Sequence, residues 1–117
     1  MLKDSGEQMK IEQINTLSAG RVSATVSAIE DQTNDFGESV VFFFTVKDKE
    51  GAILDNMRLY CSAIISKRSK LGKLCTSLGF KDVEKISDTK DLTVLIGKST
   101  DELVIYENDA GYMRLKL

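Results

Sequence analysis

The side chains of this chain that are best suited to bind a ligand are cations that lie close to aromatic residues. Of its 16 basic residues, six lie between Met57 and Lys81 without an acid among them, which leaves 10 basic and 18 acidic residues elsewhere. This concentration of positive charge in one segment, in a chain whose net charge is −2, indicates a local attraction for an anionic partner. Four of the cations fall at the start of a predicted helix, where the macrodipole is already positive and acids are preferred: Lys67, Arg68, Lys70 and Lys73. This arrangement favours anion binding, and a solvated helix face is the alternative.

Aromatic residues accompany these cations on the predicted strands. Bases stack on aromatic rings while phosphates meet cations, so the combination is typical of proteins that bind single-stranded nucleic acid. We predict base stacking by Phe43, Tyr60 and Tyr112, with phosphate contacts from Arg58 and the four helix cations. Because side chains alternate along a strand, inward Phe42 and Phe44 would leave Phe43 on the other face. A register slip of one residue would reverse this arrangement.

The composition gives little support to catalysis. The chain has no His, and no spacing typical of a metal or nucleotide-phosphate site. Cys61 and Cys75 have no base partner in sequence and are predicted to be buried, reduced thiols. Asp31, Asp35 and Glu38 are expected to form a solvated acidic turn. We therefore expect no enzymatic activity, no cofactor and no metal. The sequence has no window of about 18 apolar residues and its start lacks the apolar core of a signal peptide, so we expect no membrane partner and a cytoplasmic location as the default.

Several strands and one helix must position these residues. Hydrophobic periodicity predicts strands at Arg21–Glu30, Ser39–Lys47, Ile53–Ser62, Leu92–Ile96, Glu102–Glu107 and Tyr112–Leu117, and a helix at Ser66–Phe80. The first strand carries Val22, Ala24, Val26 and Ala28 on one face, and Ile29 breaks that phase, which indicates a bulge.

Other local signals complete the prediction. Leu71, Leu74 and Leu78 form the apolar stripe of the helix, with Ser66 or Ser69 as its cap and Gly79 at its end. Polar turns are expected at Asp31–Glu38, with Phe36 near the tip, and at Asp48–Gly51; Ile53, Met57 and Leu59 are expected in the core. Residues 1–9 are expected to be flexible, and Lys10–Leu17 to form a short turn or helix.

The order of elements indicates the fold class. Three strands, one helix and two or three further strands are the order of a five- to six-stranded OB barrel, all-β with one helix between strands three and four. A length of 117 residues fits a single domain, at residues 10–117. The alternative is an α+β sheet with a helix on one face.

Three groups of residues resemble a known family. They are Ile14, Leu17 and Gly20; Gly37–Ser39 with Phe42–Phe44; and Ser66–Phe80, followed by Leu95–Lys98 and Gly111–Tyr112. Together they resemble small OB-fold proteins of bacteriophages and mobile elements that are similar to single-stranded DNA-binding proteins. The resemblance implies non-catalytic binding of single-stranded DNA, or of RNA, in replication or recombination. Further copies of the chain are candidate partners because the edge strand Tyr112–Leu117 could pair across a dimer interface. Replication or recombination proteins, or host proteins, are the other candidate partners. The alternative is a protein-interaction module that docks an acidic protein through the basic helix.

Overall fold

Five antiparallel strands form one strongly curved sheet in this protein. The computed structural model describes residues 19–35 and 37–117. The strands are β1 (Gly20–Asn34), β2 (Gly37–Lys47), β3 (Ile53–Ser62), β4 (Ser99–Glu107) and β5 (Met113–Lys116). One α-helix, α1 (Lys70–Ser77), and two 3₁₀ segments, Val83–Lys85 and Thr89–Leu95, lie between β3 and β4.

The strand order closes the sheet into a barrel. It runs β3-β2-β1-β4-β5, and the two outer strands β3 and β5 contact each other. A nearly closed, five-stranded barrel with its helix between the third and fourth strands is an OB-like fold. The predicted fold class is therefore confirmed. The predictions for residues 1–9 and Lys10–Leu17, and the proposed tip residue Phe36, lie outside the described residues.

The core is built by alternate residues of the strands, with α1 covering it. Phe42 and Phe44 are fully buried and their rings stack at 6.0 Å, which confirms the predicted inward phase of β2. The other buried members are Val22, Ala24, Val26, Val40, Val46, Leu59, Cys61, Leu103, Ile105 and Leu115 of the strands; Leu71, Leu74, Cys75 and Leu78 at or beside α1; and Val83, Ile86, Leu92 and Leu95 between α1 and β4. Each large apolar side chain buried in this way contributes about 1.5–3 kcal/mol.

The predicted bulge in β1 is present, one step earlier than the phase change indicated. The pairing with β2 shifts between Val26 and Ala28, so Ser27 is the extra residue. Ile29 therefore packs against the core and Ala28 lies opposite Phe43. The predicted inward placement of Ala28 is wrong, because one added residue reverses the faces of everything beyond it.

A second irregularity in β3 corrects the predicted core position Ile53. The β2–β3 register shifts between Phe44 and Val46, and Asn56 adopts a left-handed φ of 60°. This change of phase turns Leu54 toward the core and leaves Ile53 54% exposed. Met57 packs against the core and Leu59 is buried, as predicted.

Most of the expected polar turn at Asp31–Glu38 is strand. β1 and β2 remain paired out to Asn34 and Gly37, so the strands extend through most of this stretch. The described side chains of this stretch that lie away from the core are exposed, which is why their polarity suggested a turn. The turn at Asp48–Gly51 is confirmed, since Asp48 Oδ1 accepts hydrogen bonds from the amides of Glu50 and Ala52, both at 2.9 Å.

The predicted strand at Leu92–Ile96 is wrong, because this stretch belongs to a 3₁₀ helix. Asp88 and Asp91 form a reciprocal capping box at its start. Leu92 and Leu95, three residues apart, point into the core. The amides of Ser87 and Asp88 donate to Asp91, and these hydrogen bonds lower the pKa of its carboxyl.

The helix is shorter than the predicted Ser66–Phe80 stretch. Ser69 is its N-cap, with Oγ accepting from the Gly72 amide at 3.0 Å. Gly79 takes a left-handed φ of 97° beyond its end, as expected. Lys67 and Arg68 therefore precede the helix instead of lying in its first turn, where the sequence had placed them.

Gly72 should be required for close packing of the chain around the helix start. A Cβ at this position would overlap the carbonyl oxygen of Ser66, a backbone atom that cannot move aside cheaply. A Gly-to-Ala change inside a helix ordinarily stabilises by about 0.5–1 kcal/mol. Here we expect Gly72→Ala to destabilise by about 1–3 kcal/mol, as overpacked sites do.

Urea denaturation measures this difference. Lys73→Ala, at the next and exposed position, is the matched control and should change stability by less than about 0.5 kcal/mol. A Gly72→Ala variant as stable as the unaltered protein would contradict the close approach.

Candidate functional site

The outer side of β2 and β3 carries a small group of aromatic, apolar and cationic side chains. We call it the aromatic face and define it as Val41, Phe43 and Thr45 of β2 with Arg58 and Tyr60 of β3. The strand register places Arg58 opposite Phe43 and Tyr60 opposite Val41. Alternation along both strands therefore brings three predicted binding residues, Phe43, Arg58 and Tyr60, onto one surface.

Contacts within the aromatic face order it. The Arg58 guanidinium lies over the Phe43 ring, 5.3 Å from its centroid, a contact worth about 0.5–1 kcal/mol at an exposed site. Val41 is 0% exposed although it lies outside the barrel core, so neighbouring outer side chains cover it. Tyr60 remains 43% exposed, and Phe43 is half-buried. The face thus presents ring surface and a cation on a packed apolar base.

A hydrogen-bonded turn presents two further cations between β3 and α1. We call it the SKRS loop and define it as Ser66–Ser69. Ser69 Oγ accepts from the Ser66 amide at 3.0 Å, and Ser66 Oγ accepts from the Ser69 amide at 3.1 Å. The Arg68 amide also donates to Ser66 Oγ, at 3.3 Å. The two serines therefore fix the backbone that carries Lys67 and Arg68, and the S-x-x-S spacing was the available sequence signal.

Lys70 joins the start of α1 to the aromatic face. Its Nζ donates to the carbonyl oxygen of Tyr60 at 2.8 Å. The helix cations consequently begin beside the end of β3. Lys67 forms an ion pair with Glu84 at 3.3 Å, but both side chains are largely exposed, so the pair contributes little. Lys73 is exposed on the first turn of α1.

Tyr112 lies outside this group. It is on the turn between β4 and β5, where it is 65% exposed and its amide donates to Asn108 Oδ1 at 2.9 Å. Among the eight predicted site residues, the structure thus brings three together on the aromatic face. Lys70 connects the helix cations to these three residues, whereas Tyr112 lies between β4 and β5.

Acids flank the aromatic face on both sides. Glu30 of β1 pairs with Val41, one strand away from Tyr60 and on the same side of the sheet. At the other end, Asp55 accepts a hydrogen bond from Thr45 Oγ1 at 3.1 Å. An anionic ligand would therefore favour the central part of the face and the path toward the SKRS loop, where the cations are.

A second cationic surface was missed from the sequence. We call it the β4–β5 patch and define it as Arg21, Val104, Tyr106, Arg114 and Lys116. Lys116 Nζ lies 5.1 Å from the centroid of the Tyr106 ring, and Arg114 pairs with Tyr106 in the register. Both Arg21 and Lys116 pair with Val104. Alternation in the last strands was visible in the sequence, but only strand pairing puts Arg21 beside them.

A cleft beside the β1–β2 hairpin has the opposite character. It has a volume of about 380 Å³ and lies between the β1–β2 hairpin, the chain entering α1 and the 3₁₀ helix. Asp31, Glu38 and Asp88 line it, and among the described residues no Lys or Arg does. Since an anion would be repelled there, the cleft does not extend the aromatic face.

Reactive groups are few in the described part of the chain. Cys61 and Cys75 are buried free thiols, and burial raises both pKa values from 9.0 to about 11, so neither is an activated nucleophile. Within residues 19–35 and 37–117, no cluster of three His, Cys, Asp or Glu side chains could hold a metal ion. Over the same ranges, no helix has the length and apolarity needed to cross a membrane.

Comparisons of the chain with protein-family models, with curated proteins and with solved structures found no significant match.

Both thiols should resist chemical labelling in the folded protein. Near neutral pH they are protonated as well as buried, so a disulfide reagent should react only when urea unfolds the chain. Because the native thiols hold their protons to higher pH, the stability they contribute is present below about pH 9. It is lost as pH rises through about 11.

Thiol titration with and without urea, and urea midpoints across this alkaline range, measure both effects. Replacing Cys61 and Cys75 together by Ala is the control and should remove the thiol-dependent part of the alkaline loss. Fast labelling of the native protein would contradict the buried placement.

Proposed function

We propose that this protein is a non-catalytic binder of single-stranded nucleic acid, preferentially DNA, that uses the aromatic face. The observation that carries the proposal is the placement of Phe43, Arg58 and Tyr60 on one side of β2–β3, with the guanidinium over the Phe43 ring. In OB barrels, the surface of the second and third strands is the usual ligand surface. The resemblance of Ser66–Phe80 to phage and mobile-element proteins supports a role in DNA replication or recombination.

The proposed mechanism combines stacking with charge neutralisation. Bases stack on Phe43 and Tyr60, and each stacked base is worth about 1–3 kcal/mol. Arg58 contacts the phosphate backbone of the nucleic acid beside the stacked bases. Phosphates leaving the face at the end of β3 then meet Lys67 and Arg68 on the SKRS loop, and Lys73 on α1. Lys70 Nζ donates to the Tyr60 carbonyl, which holds the helix start beside β3. Its ammonium group has two further N–H donors for a phosphate.

Titration of a fluorescent oligothymidine at low and moderate salt tests the proposal. Affinity should fall as salt rises, with about 0.7 of log–log slope for each phosphate neutralised on a single strand. Phe43→Leu keeps an apolar side chain of similar size but removes the ring. It should therefore weaken binding by about 5- to 150-fold, the equivalent of one stacked base.

Two controls make this result interpretable. The urea midpoint of Phe43→Leu should remain close to that of the unaltered protein, since Phe43 is outside the core. The same titration with oligouridine separates DNA from RNA preference. Absence of oligothymidine binding at low salt would overturn the proposal.

Charge reversal tests the path over the SKRS loop and α1. Among the described residues, Arg68 and Lys73 take no part in the ion pairs. Arg68→Glu with Lys73→Glu should weaken binding of all sequences alike and reduce the salt slope by about 1.4, two phosphate contacts.

Lys49→Glu with Lys90→Glu is the matched control. It makes the same change in net charge at two exposed sites outside the aromatic face and the SKRS loop. If both double variants lose affinity equally, overall charge is responsible and the SKRS loop has no specific role.

The second candidate function is docking of an acidic protein. The ion pair between Lys67 and Glu84 favours this function, since it shows that a cation of the SKRS loop can bind a carboxylate. Pull-down from lysate with and without nuclease separates the two functions. A partner lost on nuclease treatment supports nucleic-acid binding. An acidic protein that remains bound after nuclease treatment, and is lost from the Arg68→Glu variant, supports protein docking.

A further inference from the structure

The β4–β5 patch repeats the chemistry of the aromatic face on different strands. Lys116 lies over Tyr106 as Arg58 lies over Phe43, at 5.1 Å and 5.3 Å from the ring centroids. Arg21, Arg114 and Lys116 are exposed, whereas Val104 and Tyr106 are half-buried beneath them. A half-buried ring under several cations gives a polyanion both an apolar contact and a charge to neutralise.

Within the part of the chain that the structure describes, no ion pair neutralises the cations of the patch. The salt bridges among the described residues join Lys67 to Glu84 and Lys85 to Asp82, and none includes Arg21, Arg114 or Lys116. Two acids of β4 lie at the ends of the patch: Glu107 is opposite Met113 at the turn end of the hairpin, and exposed Glu102 precedes Val104 by two residues. The centre of the patch around Val104 is therefore bordered by cations from both neighbouring strands, Arg21 of β1 and Lys116 of β5.

Barrel closure makes the patch a neighbour of the aromatic face. β3 and β5 contact each other, so their outer sides adjoin. The outer side of β3 carries Arg58 and Tyr60, and the outer side of β5 carries Arg114 and Lys116. Glu30 and Asp55, the acids that flank the aromatic face, lie on its other borders. A single strand leaving Tyr60 across β5 would thus meet cations without passing either acid.

We propose that the β4–β5 patch is a second contact surface for the same polynucleotide, engaged only by strands long enough to cross from β3 over β5. This inference rests on the proposed function. The patch would recognise the phosphodiester backbone of the ligand, and one base would pack against Tyr106. The patch lies outside the usual OB ligand surface of strands two and three. A second contact surface there would make the binding site longer than the aromatic face alone.

The length dependence of binding tests the second surface. Single OB folds cover about 4–16 nucleotides, so an oligothymidine of about 6 residues fits the aromatic face, and one of about 30 residues exceeds it. The full-length protein should bind the long oligonucleotide with a steeper salt dependence than the short one. Arg114→Gln with Lys116→Gln should reduce the long-oligonucleotide slope by about 1.4 and leave the short-oligonucleotide affinity unchanged.

Controls separate the outcomes. Lys49→Gln with Lys90→Gln removes the same charge elsewhere and should affect neither length. Tyr106→Leu keeps the cations and tests the ring alone, should the double Gln variant lose stability. If the unaltered protein binds both lengths and the patch variants change neither, the second surface is wrong while the proposed function stands.

Two other results are equally decisive. If the unaltered protein binds no oligonucleotide, the proposed function itself is overturned. If the patch variants change the sedimentation mass of the protein without changing DNA affinity, the patch joins copies of this chain and the second-surface proposal is wrong.

Discussion

The alternation of side chains along β2 is the constraint on which the rest of this structure depends. Burial of Phe42 and Phe44 in the barrel core commits the residue between them to the outer side. Phe43 therefore has nowhere else to lie, and its partner Arg58 follows from the antiparallel register. Exposing Phe42 and Phe44 instead would cost several kcal/mol of burial, since each contributes about 1.5–3 kcal/mol. The stability of the core and the composition of the aromatic face thus have one cause.

The cationic segment depends on the same core through the helix. Leu71, Leu74 and Leu78 anchor α1 and the residue after it on the barrel, and the chain before the helix passes so close that only Gly fits at position 72. The two serines then satisfy the backbone of the turn that carries Lys67 and Arg68. Packing inside the barrel consequently fixes where charge is displayed outside it.

The surface separates the two signs of charge. The cleft beside the β1–β2 hairpin carries Asp31, Glu38 and Asp88, whereas the helix start and the β4–β5 patch carry the cations. Net charge of −2 conceals this separation, because it averages over surfaces that a ligand meets one at a time. Long-range attraction of an anion to the whole protein would therefore be weak at moderate salt.

The sequence by itself determined the five strands and the helix between the third and fourth, the inward phase of β2, and the leucine stripe with Gly79 at its end, because these follow from local periodicity. It left the helix cap open between Ser66 and Ser69, and the structure assigns Ser69. It predicted the wrong state for Leu92–Ile96, since five apolar-rich residues fit a strand as well as a short helix until the Asp88 and Asp91 caps are recognised. Bulges at Ser27 and near Asn56 changed which residues face the core, and no local pattern fixes where a register shifts. Only the tertiary structure decided that Arg21 lies beside β4 and that β3 contacts β5, because both depend on pairing between residues far apart in the chain.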